Sequence, residues 1–295
     1  MSTTSDAIPA GATSARRRSR LPFAAWLFVP VAVLLGIFFF YPIGTIVWRS
    51  LSEPHFGLEQ YTDLLGESVS VTVILRTLRT AAEVALITLV IAYPYAYAMT
   101  KVGSRARALL VTIVLLPFWT SLMARNFAWY VLEQRGGVIE SILSTVGLEH
   151  VVLLGSVTGV TVAMVQVMLP YMVLPLYASM RTIDTRLLDA ARSLGAPWPK
   201  AFAGVYLPLS LPGIVSGVSL VFILSLGFYI TPALLGSPQE ALVSQVIATR
   251  VSKLLDFAGA GAFGTLLLLI TLLVLLVVNR IGRPPATMGE AVEHG

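Results

Sequence analysis

The residues able to do chemistry are few and dispersed. The 295-residue chain has three histidines, His55, His150 and His294, all in loops or the tail, and no cysteine. Without thiols there can be no disulfide, no thiolate metal site and no cysteine nucleophile. No Gly-x-x-x-x-Gly-Lys-Ser/Thr phosphate loop occurs, and no His or carboxylate set is clustered, so the sequence offers no catalytic residue, no metal site and no cofactor of its own. The ionisable candidates are Glu83, the one acid of fifteen that falls inside a long apolar run, and Arg125 near the end of another. Charges in such surroundings are expensive and mark function by default.

The elements that position them follow from composition. Hydrophobic residues make up 56% of the chain and charged residues 12%, against ~25% charged in a typical soluble domain. So few charges cannot clothe a water-exposed surface, and a bilayer must be the main solvent. A soluble enzyme, a disordered chain and a secreted disulfide scaffold are excluded. A spanning helix needs about 20 mostly apolar residues. Six runs qualify: Phe23 to Val47, Thr80 to Met99, Leu109 to Leu132, Val151 to Met180, Leu209 to Leu235 and Gly261 to Val278. The expected fold is all-α, a polytopic membrane bundle of six transmembrane helices over residues 23–280, flanked by a disordered basic tail (1–22) and a C-terminal tail (281–295).

The net charge of +5 comes in short clusters between apolar runs, which suits positive-inside topology better than nucleic acid. With both termini in the cytoplasm, that side holds Arg16, Arg17, Arg18, Arg20, Lys101, Arg105, Arg107, Arg181, Arg186, Arg192, Lys200, Arg280 and Arg283. Arg49, Arg76, Arg79, Arg125, Arg135, Arg250 and Lys253 fall on the other. The first apolar run follows an Arg cluster but is longer than a signal-peptide core and ends without a small-residue cleavage site, so it reads as a retained span. Prolines recur in the runs (Pro30, Pro42, Pro94, Pro117, Pro170, Pro175, Pro212, Pro232). Such kinks occur in ordinary bundles, and in this number they favour a transporter over a simple anchor.

The longest cytoplasmic connection, 181–208, reads as a folded elbow. Asp184 is placed to cap a helix. Leu187, Ala190, Ala191 and Leu194 recur on one face, and Gly195 stands where a left-handed residue ends a helix. Pro197 and Pro199 forbid continuation, and Pro199 suits the first turn of a second short helix. Small Ala residues allow close backbone approach, so the face could enter a groove on another protein. It could equally pack on its own bundle or lie on the membrane surface.

Asp189-Ala190-Ala191, three residues, Gly195, nine residues, Val205, one residue, Leu207-Pro208 resembles the EAA motif of ATP-binding-cassette importer permeases at every interval, with Asp for Glu and Val for Ile. Leu116-Pro117-Phe118-Trp119-Thr120-Ser121, then Arg125-Asn126-Phe127-Ala128-Trp129, and Gly227-Phe228-Tyr229-Ile230-Thr231-Pro232-Ala233-Leu234-Leu235-Gly236 are similar to the spermidine/putrescine permeases of the PotB type. Those more often carry Thr-Tyr where this chain has Asn126-Phe127.

The resemblance implies a type I importer permease fold in a bacterial inner membrane. It also implies a cytoplasmic ATPase dimer that binds ATP and Mg and grips the elbow, a second permease subunit, and an external solute-binding protein. Asp189, Ala190, Ala191, Arg192, Gly195, Leu207 and Pro208 would carry the coupling. A polyamine calls for carboxylates and aromatic faces. Glu83, Trp119, Trp129, Tyr171 and Tyr229 could supply them, with Arg125 at the outer mouth. The same rings could instead form interfacial belts, with Glu83 neutralising Arg125. An ion-coupled carrier would need an Asp, Lys or His relay at the midplane, and an intramembrane hydrolase would need a nucleophile with its base; the runs contain neither.

Overall fold

A computed structural model describes residues 23–281, apart from 54, 146, 149 and 150. The basic tail 1–22, all but the first residue of the tail 281–295, His150 and His294 lie outside the described residues. The chain divides into two units, 1–45 and 46–295.

The first unit is apolar helix: α1 (Phe23–Leu35), a π-helical turn (Gly36–Phe40) and the opening of α2 (Tyr41–Ser52). The turn closes with the Tyr41 N–H donating to the Gly36 carbonyl, one residue ahead of Pro42. A proline ring collides with the carbonyl four residues back, and a widened turn with one extra residue makes room for it.

The second unit continues α2 and adds twelve helices: α3 (Glu59–Gly66), α4 (Ser68–Lys101), α5 (Ser104–Trp119), α6 (Leu122–Glu133), α7 (Val138–Thr145), α8 (Val157–Met180), α9 (Arg186–Ser193), α10 (Trp198–Ala201), α11 (Leu207–Leu226), α12 (Ile230–Leu235), α13 (Val243–Thr249) and α14 (Phe257–Ile281). No strand occurs among the described residues.

The trio α4, α8 and α11 packs most extensively. Its core joins Val84, Ala92, Ala96 and Met99 of α4 to Met164, Met168, Met172 and Leu176 of α8 and Val221 of α11. In lipid the hydrophobic effect does not pull helices together, and close backbone approach does. Gly213 and Gly217 provide it: a Cβ at 213 would lie 2.6 Å from Ser179 Cβ, and one at 217 would lie 2.7 Å from Met172 Sδ. The start of α8 is held by the Ser156 hydroxyl, which accepts from Gly159 N at 3.1 Å, and by Glu240 Oε2, which accepts from Val157 N at 2.6 Å. These satisfy two of the orphan donors of the first turn.

Among the described residues four helical stretches are long and apolar enough to cross a membrane: 28–52, 157–180, 198–226 and 257–278. A bent pair, α5 with α6, makes a fifth. The run Thr80 to Met99 lies inside the 34-residue α4. Where a single run Leu109 to Leu132 was expected, the helix breaks at Thr120 and turns by 95°. Pro117 leaves the last turn of α5 weakly bonded, Thr120 is extended (φ −95°, ψ 144°), and Ser121 starts a new helix. The fourth run becomes helical only at Val157, after Gly155 in a left-handed turn. The fifth stops at Leu226, with α12 as a separate short helix.

Candidate functional site: the elbow and the Arg125 pocket

The elbow between α8 and α11 is built by local capping chemistry. Asp184 Oδ1 accepts from the Arg186 N–H at 2.9 Å, although the residue flanking α9 is Thr185, one place later than the sequence suggested. At the other end Gly195 adopts φ +88°. Its N–H donates to Arg192 O at 2.9 Å and the Ala196 N–H donates to Ala191 O at 3.2 Å. These two bonds form a Schellman closure, which needs a residue free to take positive φ. Beyond it α10 opens with Pro199 in its first turn. The second short helix of the elbow does not stop, however. It passes through a π-helical turn at Phe202–Tyr206 into α11, and Pro208 again follows that turn.

The apolar stripe of α9 points outward. Leu187 is 49% exposed and Leu194 is 89% exposed, Ala190 is exposed and Ala191 half-buried. The inward anchor is instead Leu188, which joins the main core. Leu187, Ala190 and Leu194 of the stripe therefore do not pack on the bundle, whereas Ala191 rests against its core. Asp189, Arg192 and Gly195 line a notch of about 530 Å³ with Ser193, Ala196, Pro197 and Trp198. Among the described residues neither Asp189 nor Arg192 joins an ion pair. Leu207 and Pro208 stand outside the notch, at the head of α11. The sequence reading missed Trp198, whose position between two prolines was the available signal.

Midway along α8 a pocket of about 230 Å³ brings together Arg125 and Tyr171 with Phe118, Thr120, Leu224 and Phe228. Segments similar to the PotB type thus converge: 116–121 and 125–129 meet the residues that open 227–236. The Phe118 ring stands edge-on to Tyr171 at 5.3 Å. Arg125 Nη2 donates to the Pro117 carbonyl, and at 2.9 Å to the Thr120 hydroxyl. It caps the broken end of α5 and so holds the bend. Trp129 lies beside the pocket, its Nε1–H donating to Gln166 Oε1 of α8 at 3.4 Å.

Trp119, 75% exposed, and Tyr229, 46% exposed, do not line the pocket. Neither does Glu83, and the alternative in which Glu83 neutralises Arg125 is not met. Glu83 Oε1 accepts from Arg79 Nε at 2.7 Å, one helical turn away, and the i, i+4 spacing explains the choice. A second acid had escaped notice. Glu133, one residue past the expected end of the third run, is buried with no partner for either carboxylate oxygen. Its i+7 spacing from the equally buried Asn126 was the sequence signal.

The described residues thus form an apolar helical bundle with an outward-turned elbow and an aromatic pocket midway along the helix leading to it. A family model for the binding-protein-dependent transport system inner membrane component matches residues 96–283, which include the elbow and the Arg125 pocket. The chain belongs to that family. It is 33% identical over 229 residues to a spermidine/putrescine transport system permease protein PotB of Haemophilus influenzae, covering 76% of this chain and 80% of the relative. To the Escherichia coli K12 protein of the same name it is 30% identical, over 88% and 93% of the two chains. A probable sulfate transport system permease protein, cysT of Nephroselmis olivacea, is 27% identical. In fold it is similar to a chain of a bacterial alginate ABC transporter crystallised with an alginate pentasaccharide-bound periplasmic protein (TM-score 0.71, 19% identity, 88% of this chain and 93% of that one).

Proposed function

We propose that this permease is one of two pathway-forming subunits of an ATP-binding-cassette importer that carries polyamines such as spermidine and putrescine inward. An external binding protein hands over the solute, and a cytoplasmic ATPase dimer supplies the energy. In this reading the chain crosses the membrane six times with both termini in the cytoplasm. The crossings are the first span, α4, α5 with its bent continuation, α8, α11 and α14. Closure of the ATPases on nucleotide displaces the elbow, and the bundle rocks from inward-facing to outward-facing.

The observation that carries the reading is the exposed, Schellman-closed α9, which bears Asp189-Ala190-Ala191 and Gly195 at the spacing of the coupling motif. Gly195→Pro tests it. Proline fixes φ near −65° and removes the donor, whereas residue 195 stands at +88° and bonds Arg192 O. The variant is expected to insert in the membrane normally and to lose co-purification of the ATPase; normal co-purification would refute the elbow's role.

For the solute, the support is the similarity to the spermidine/putrescine transport system permeases PotB. A second reading, a small organic solute other than a polyamine, is favoured by the pocket itself, which presents the Arg125 guanidinium and no carboxylate. Uptake of radiolabelled spermidine and putrescine into vesicles charged with the cognate binding protein separates the two. ATP-dependent, vanadate-sensitive uptake supports the first, and its absence with the complex intact supports the second.

A further inference from the structure

The rings between the elbow and α4 form a continuous column. Trp198, Phe202 and Tyr206 follow one another at i, i+4 and i+8, from α10 through the π-helical turn. Trp198 stacks on Phe202 at 5.1 Å with 19° between planes, and Phe202 on Tyr206 at 5.3 Å with 17°. Two rings of α4 close the column edge-on. Tyr97 meets Phe202 at 5.5 Å and Tyr206 at 5.1 Å, both nearly perpendicular, and Tyr93 meets Phe202 at 6.2 Å and 85°. The ends are tied by polar contacts: Tyr93 Oη lies 2.9 Å from Ser210 Oγ of α11, and Lys101 Nζ sits 5.3 Å from the Tyr97 centroid. At its outer end the column emerges in the elbow notch, which Trp198 lines beside Asp189, Arg192 and Gly195. At its inner end Tyr206 is fully buried and belongs to the main core.

Aliphatic packing alone would fill this space, but flexible side chains absorb displacement by changing rotamer. Flat rings with two side-chain torsions, fixed face-to-face along one helix and edge-to-face against another, do not yield in that way. We propose that Trp198, Phe202, Tyr206, Tyr93 and Tyr97 act as a rigid strut that transmits displacement of the elbow to α4, with Phe202 as its central positioning residue. The strut rests on the reading of the elbow as the ATPase docking site. The π-helical turn lies within the column, and Pro208 just beyond it leaves the turn little freedom to rewind as regular α-helix.

The test uses the full transporter in proteoliposomes, with a fluorophore on Leu75→Cys, an exposed position on α4 remote from the elbow. The chain has no other cysteine. ATP with vanadate is expected to change the probe signal in the parent complex. Phe202→Leu keeps an apolar side chain and removes the four-ring junction. It is expected to co-purify with the ATPase and hydrolyse ATP at the basal rate, while the probe response falls about tenfold, the scale of losing one to two ring pairs. Phe202→Tyr should restore the response. Tyr97→Leu should produce the same defect, and the double variant should be no worse than the weaker single one, because both break the same strut. A probe response in Phe202→Leu as large as in the parent overturns the strut, and so does a double variant with multiplied losses. Loss of ATPase association by Phe202→Leu also overturns it, since the ring would then serve docking. A parent complex that binds no ATPase or gives no nucleotide response overturns instead the reading on which the strut rests.

Discussion

Replacing Gly213 and Gly217 by alanine, one at a time, distinguishes packing limited by backbone from packing limited by a movable side chain in the seam between α8 and α11. A Cβ at 213 would lie 2.6 Å from Ser179 Cβ and 3.3 Å from Leu176 Cα. Both atoms are fixed to the α8 backbone, so the helices must separate by about 1 Å to recover ordinary carbon contacts of roughly 3.5–4.0 Å. A Cβ at 217 meets Met172 Sδ at 2.7 Å and Met172 O at 3.3 Å. The thioether can swing aside and the carbonyl needs to give only a few tenths of an ångström. Overpacking that shifts backbone costs about 1–3 kcal/mol, and alanine returns about 1 kcal/mol over glycine within a helix. Gly213→Ala should therefore lose up to about 2 kcal/mol net, and Gly217→Ala should stay within about 1 kcal/mol of the parent. Unfolding of the purified chain in a single detergent, followed by fluorescence of its five tryptophans, reads the difference. Ser179→Gly added to Gly213→Ala removes the obstructing Cβ and should recover part of the loss. Equal stabilities for the two alanine variants, or a larger loss at 217, would refute the distinction between rigid and movable neighbours.

Glu133→Leu exchanges a buried carboxyl without partners for an apolar side chain of similar length. It should stabilise the chain by about 1–3 kcal/mol in the same unfolding assay, and a loss of stability would mean that the carboxyl has a partner in the membrane. Leu194→Asp alters a side chain that is 89% exposed, so the unfolding midpoint should move by no more than about 0.5 kcal/mol equivalent. Co-purification of the ATPase should weaken nonetheless, and undiminished association would remove α9's outer face from the docking surface.

The elbow was legible in the sequence because helix starts and stops are local chemistry. Asp184, Gly195 and Pro199 act within one or two turns of themselves, and the structure displaces only the cap, by one residue. The direction of the apolar stripe was not legible. Periodicity identifies Leu187, Ala190 and Leu194 as one face but cannot say what covers it, and here Leu188 takes the inward place. The bend at Thr120 was equally hidden, since hydropathy measures how apolar a run is and carries no information about its course. What holds the bend is Arg125, which donates to the Pro117 carbonyl and the Thr120 hydroxyl, acceptors that only the bend itself brings within reach. For Glu83 the sequence reading offers only Arg125 as a partner, whereas Arg79 one turn away takes it and local spacing prevails. The Gly213-x-x-x-Gly217 seam was present as a pattern and could have been read as a close helix contact.

The two candidate sites are joined by one helix. Val167, Met168, Pro170 and Tyr171 of α8 line the Arg125 pocket, and the same helix ends at Met180, four residues before the Asp184 cap. Over 24 residues it spans about 36 Å at 1.5 Å per residue, enough to carry displacement across the apolar layer. Pro170 lines the pocket and Pro175 lies between it and the elbow, where Pro175 Cγ would stand 3.5 Å from a Cβ at Gly217. The seam with α11 thus grips α8 at Met172, Pro175, Leu176 and Ser179, on the elbow side of Pro170, while the pocket residues Val167, Met168, Pro170 and Tyr171 come just before the seam. Proline removes the backbone bond that would make the two halves move as one rod. Under the proposed docking of the ATPase at the elbow, a displacement entering there is expected to reach the pocket as a change of angle between the halves of α8, altering the distance from Tyr171 to the Arg125 bend.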